Sequence, residues 1–106
     1  MSNQSSPQDY LKSWLQDLKR QSKADLTIYG YQKHVTLFIN WCEERDILSI
    51  TAVSKSILES YARYLTKAPL AKNGHPLQAI SQQSRLIPVR LFFNWLSENR
   101  LLVYNP

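Results

Sequence analysis

Two short stretches of this chain concentrate side chains able to pair with base edges or with phosphate. Gln82, Gln83 and Arg85 stand together at what reads as the opening of a helix. A glutamine amide matches the edge of adenine, an arginine fork matches guanine, and the N–H groups of a helix start favour an anion. Thr27, Tyr29 and Lys33 occupy the first turns of an earlier helix. There lysine would neutralise a phosphate, and tyrosine would reach the backbone or a base edge. Arg90 follows on the later helix, either as another cation on the same surface or as half of an ion pair within the protein. Lys72, with Lys67 and His75, makes the intervening loop basic enough to track a phosphate backbone. Each of these groups also has a plainer reading, as the ordinary solvated face of a helix or loop.

No other reactive constellation is spelled out. The chain has two histidines and one cysteine, with no cluster at metal-ligand spacing, no glycine-rich phosphate loop and no nucleophile–base motif. Neither a metal nor a cofactor is expected. His34 falls on an apolar face between Tyr31 and Phe38 and reads as a hydrogen-bonded core histidine. Cys42, alone among apolar helical neighbours, reads as a core thiol, and a single cysteine without a disulfide partner fits an intracellular chain.

The bulk numbers bound the rest. A length of 106 residues suits one domain with its own core. Thirteen Lys and Arg against eight Asp and Glu give a net charge of +5. The pI is near 9.5, which favours a polyanionic partner without naming one. A mean hydropathy of −0.38 and the lack of any apolar run near ~20 residues argue against a membrane span. Residues 1–7 read as a disordered polar leader, not a signal peptide, and residues 8–106 as the folded domain.

Four segments of helical periodicity must position the candidate groups, and no stretch alternates like a strand. Residues 9–21 carry Tyr10, Leu11, Trp14, Leu15 and Leu18 as one stripe. Residues 25–45 place Tyr31, His34, Val35, Phe38, Trp41 and Cys42 on one face, with Tyr29, Lys33 and Asn40 opposite. Residues 55–66 follow Ser54, a good N-cap, with Val53 placed to staple onto Leu58. Residues 67–79 hold Asn73-Gly74 and read as an exposed loop with room for a small hairpin. Residues 81–99 form the last helix, apolar on two faces: Leu86, Val89, Phe93 and Leu96 on one, Ile87, Leu91 and Trp95 on the other. Pro88 inside it should remove the bond to the Ser84 carbonyl, kinking the helix or marking a late start. The fold class is all-α, a four-helix bundle with short connections.

Two of these segments resemble the N-terminal core-binding domain of tyrosine recombinases, the phage-integrase and Xer-type family. Asp25-Leu26-Thr27-Ile28-Tyr29-Gly30-Tyr31, running on to Phe38 and Trp41, looks like the opening of that family's second helix. Val89-Arg90-Leu91-Phe92-Phe93-Asn94-Trp95-Leu96, closing on Asn105-Pro106, resembles its last bundle helix and the Asn-Pro that leads into the catalytic domain. Pro88 departs from the small or polar residue usual at that position. The resemblance implies a SAM-like bundle of two crossed helical hairpins, one jaw of a clamp on a core recombination site. It implies that the second and fourth helices face the DNA major groove, with Thr27, Tyr29, Lys33, Gln82, Gln83, Arg85, Arg90 and Lys72 as candidate contacts. The family's Arg/Lys/His/Arg set and tyrosine nucleophile belong to the other jaw, so none is assigned here and this chain is expected to be non-catalytic. The implied partners are double-stranded DNA and the catalytic domain of the same protein, for a fragment that is monomeric alone. The implied location is bacterial cytoplasm or nucleoid. The competing expectation is a helical protein–protein adaptor docking through the outer face of the last helix. If a partner covers that face, Trp95 and Leu91 should be exposed in this chain; if the first helix folds back over them, they should be buried.

Overall fold

The computed structural model describes residues 6–102 and 105–106. Within them the chain forms α1 (Pro7–Arg20), α2 (Asp25–Glu43), a 3-10 turn (Ile50–Ala52), α3 (Lys55–Lys67) and α4 (Ala79–Glu98). No strand occurs among the described residues. The extents of 43 × 32 × 20 Å are those of two helix layers in the thin direction, given helix diameters of ~10–12 Å.

α1 starts two residues before the sequence reading, because Ser6 and Asp9 form a reciprocal capping box around Pro7 at the first helical position. Ser6 and Pro7 therefore leave the leader expected over residues 1–7; residues 1–5 lie outside the described residues, and that expectation for them with it. Ser54 caps α3 as expected, accepting from the Ile57 N–H, and Val53 and Leu58 both join the core. The 3-10 turn carries no periodicity of its own and was not expected; it buries Ile50 under α2 and α4, beside Ile39 and Phe93.

Rings tie the four helices together. Trp14 of α1 stacks on Tyr31 of α2 at 5.4 Å and 2° and meets Phe92 of α4 at 5.5 Å. Phe38 of α2 meets Tyr61 of α3 edge-on at 4.9 Å and Phe93 of α4 at 6.0 Å. Such geometries add to burial because ring edges and faces carry opposite partial charge. Cys42 is buried in this core, and burial pushes its thiol up to about 12.

α4 corrects one expectation. It runs through Pro88 as a single helix and begins at Ala79, before the expected start, so Pro88 does not mark a late start. The pyrrolidine is buried, so packing compensates for the lost backbone bond, and the Ser84 hydroxyl bonds back to the Ile80 carbonyl at 3.0 Å. The face with Leu86, Val89, Phe93 and Leu96 is buried as expected. The second face divides. Trp95 is half-buried and donates its indole N–H to Asp17 of α1 at 3.0 Å, so α1 does fold back onto it. Leu91 and Ile87 remain 37% and 46% exposed.

Candidate nucleic-acid interface

α2 packs along α4 and α1, and α3 packs on α4, and early residues of α2 and α4 share one surface. Thr27, Gly30 and His34 of α2 and Ser84, Ile87 and Pro88 of α4 line a shallow cleft between them. Lys33 is exposed on the same half of α2. Arg85 is half-buried, near enough to both His34 and Tyr61 for its charge to act on them. Neither Lys33 nor Arg85 is in an ion pair among the described residues; the pairs formed there are Arg20–Asp17 and Arg45–Glu44.

The helix ends differ in a way that matters to an anion. Ser6 and Ser54 cap α1 and α3 with their side chains, whereas α2 and α4 follow Ala24 and Gln78 with no side-chain cap. The first-turn N–H groups of α2 and α4 keep their donors for solvent or an anionic ligand. The charge along the chain agrees. Residues 47–97 hold Lys55, Arg63, Lys67, Lys72, Arg85 and Arg90 against the single acid Glu59.

The structure does not gather all the candidate residues into one site. Thr27 reaches the cleft, but Tyr29, two positions on and about 200° round the helix, points to the outer side and is 66% exposed. Gln82 spends its amide on the Leu77 carbonyl at 2.9 Å, closing the entry from loop to helix. Gln83 and Arg90 are exposed on the flank of α4 turned away from Arg85, and Arg90 borders a second cleft with Lys55, Glu59 and Pro106. No ion pair joins Arg90 to an acid among the described residues. Lys72 is exposed in a loop closed by a turn, with Ala71 N–H to His75 O at 3.0 Å and Gly74 at φ 79°, not by a hairpin. Asn105 reaches back to pair its amide with Asn94 of α4.

His34 is the residue the periodicity misplaced. It is half-buried, not core, and its Nδ1 is covered without a hydrogen-bond partner. The apolar face of α2 continues past the end of the core at this point, so the pattern alone could not separate a core position from a cleft position. Burial, then the charges of Arg85 and Lys33, hold the imidazole below its ordinary 6.5. Among the described residues no cluster of three or more His, Cys, Asp or Glu is arranged to hold a metal ion. Nor is any helix among them long and apolar enough to cross a membrane.

The described residues form an all-α domain, with cations outside any ion pair among them and two helix starts without a side-chain cap on one side. Residues 11–99 match the phage integrase, N-terminal SAM-like domain family, and the chain belongs to it as the N-terminal SAM-like domain of a tyrosine recombinase. It is also 37% identical over 82 residues to "Tyrosine recombinase XerC 2" of Ralstonia nicotianae, covering 76% of this chain and 23% of that protein. The chain therefore spans about a quarter of the length of this curated relative. No solved structure matches.

Proposed function

We propose that this domain binds double-stranded DNA at the core half-site of a site-specific recombinase, with the openings of α2 and α4 toward the major groove. The observation that carries the reading is the cleft where those two openings meet at Thr27 and Ser84, with the adjacent cations Lys33 and Arg85 free of ion pairs among the described residues. Phosphate contacts from such cations set position and affinity, while groups entering the groove set sequence. In this reading the domain is non-catalytic. Strand cutting and rejoining belong to a catalytic domain of the same protein, no cofactor or metal takes part, and the isolated domain is monomeric. The setting is the cytoplasm of a bacterium or of a virus's bacterial host, and the DNA belongs to a mobile element or chromosomal site.

A second reading, the protein–protein adaptor, draws on the outer face of α4, where Ile80, Ile87 and Leu91 are 74%, 46% and 37% exposed. Salt separates the two. Fluorescence anisotropy with a labelled duplex should give a dissociation constant on the order of 10⁻⁴ to 10⁻⁶ M at physiological salt. Affinity should fall steeply between two salt concentrations, by about 0.9 in log–log slope per phosphate neutralised. Binding that ignores salt, or no binding at low salt, would favour the adaptor.

A further inference from the structure

We infer that His34, Lys33 and Arg85 form one phosphate site, in which the imidazole of His34 contacts a phosphodiester of the DNA backbone. The inference rests on the DNA reading above and adds a residue that neither the motif nor the periodicity assigns to binding.

His34 lines the cleft between α2 and α4, with Lys33 next to it along α2 and Arg85 next to the cleft residue Ser84 along α4. Lys33 acts on His34 from its own helix and Arg85 acts on it from α4, and no carboxylate is among the groups acting on it. The remaining polar neighbours along the cleft are neutral: the hydroxyls of Thr27 and Ser84 on either side and the phenol of Tyr31. Like charges held together without a counter-ion within the fold repel, and an anion bridging them removes that cost.

The cleft is also open where a phosphate would enter. Gly30 lies one helical turn before His34, and a Cβ built at Gly30 would meet no atom within 4 Å. No neighbour in the fold requires glycine there, although a helical glycine costs ~1 kcal/mol relative to alanine. The bare backbone leaves the approach to His34 and Lys33 unobstructed. The covered Nδ1 has no partner. With Nδ1 covered, Nε2 is the ring nitrogen left to donate to an external oxygen.

Free His34 gives up its proton below the ordinary value, because burial and the two cations disfavour its charge. A phosphate beside it favours the charge, so the complex holds the proton to higher pH. DNA affinity should then rise as pH falls through the window between the free and bound midpoints, with about tenfold in affinity for each unit between them.

The experiment is an NMR titration of the two histidine rings in the folded domain, alone and saturated with a short duplex, with His75→Gln used to assign the signals. The His34 midpoint should move up on binding duplex, while inorganic phosphate at the same phosphate concentration leaves it in place. In parallel, His34→Gln should keep salt-dependent binding but lose the gain in affinity at low pH, with folding checked by circular dichroism. Duplex binding with an unmoved His34 midpoint would overturn this site and leave the DNA reading standing. An equal shift with free phosphate would overturn its assignment to the DNA backbone. Failure to bind any duplex would overturn the DNA reading and this site with it.

Discussion

Phe38 is the point where three helices meet, and removing its ring tests whether the aromatic chain holds the domain together. The side chain is 1% exposed. Its ring has an edge contact to Tyr61 of α3 at 4.9 Å, another to Phe93 of α4 at 6.0 Å and a stack with Trp41 of α2 at 6.1 Å. Phe→Ala in a core costs ~3–5 kcal/mol, less where neighbours collapse into the void. Here the lining comes from three separate helices, and closing the void would require all three to shift, so the loss should fall in the upper part of that range. A domain of this size has ~5–15 kcal/mol in total, so Phe38→Ala should leave it marginal. With a slope near ~1.5 kcal/mol per M, the urea midpoint should fall by about 3 M with little change in slope. Tryptophan fluorescence reads this directly, since Trp41 stacks on the deleted ring. A loss below ~1 kcal/mol would refute the argument that Phe38 bridges the helices.

Other expectations follow from single groups. Lys33→Ala and Arg85→Ala should each reduce the log–log salt slope for duplex binding by about one and change stability by no more than ~0.5 kcal/mol, read by anisotropy and thermal melts. Gly30→Ala should stabilise α2 by about 0.5–1 kcal/mol in urea unfolding, because the added methyl meets open space. Cys42, buried and with its thiol pushed up to about 12, should resist disulfide-exchange reagents in the native state and react at a rate that follows unfolding as urea is raised.

Much of the fold was legible because its signals were redundant. Leu11, Trp14 and Leu18, then Val35, Phe38, Trp41 and Cys42, then Tyr61 and Leu65 all repeat at helical spacing, and all are buried. Ser54 announced α3 through its cap. The helix stops were harder to read. α1, α2 and α4 are followed by left-handed Ser22, Asp46 and Arg100 at φ 63°, 59° and 58°, positions where glycine is the usual marker. Backbone bonds close each end, as in Lys23 N–H to Leu18 O at 3.1 Å and Ile47 N–H to Cys42 O at 2.9 Å. The surface was legible only in part. Residue type singled out Lys33 and Arg85 as candidates, but type could not show that Gln82 bonds Leu77, that Tyr29 turns away from Thr27, or that Arg90 faces α3. Those outcomes depend on where the core ends along each helix, and that is set by how the helices pack.

The central claim is that the openings of α2 and α4 form the DNA-facing surface. Chemical-shift mapping of the ¹⁵N-labelled domain against a short duplex at low salt tests it residue by residue. The largest perturbations should fall at Thr27, Lys33, His34, Ser84 and Arg85 and fade as salt is raised, with α1 little changed. Perturbations centred on α1 or the 3-10 turn, or none at any salt concentration, would contradict it.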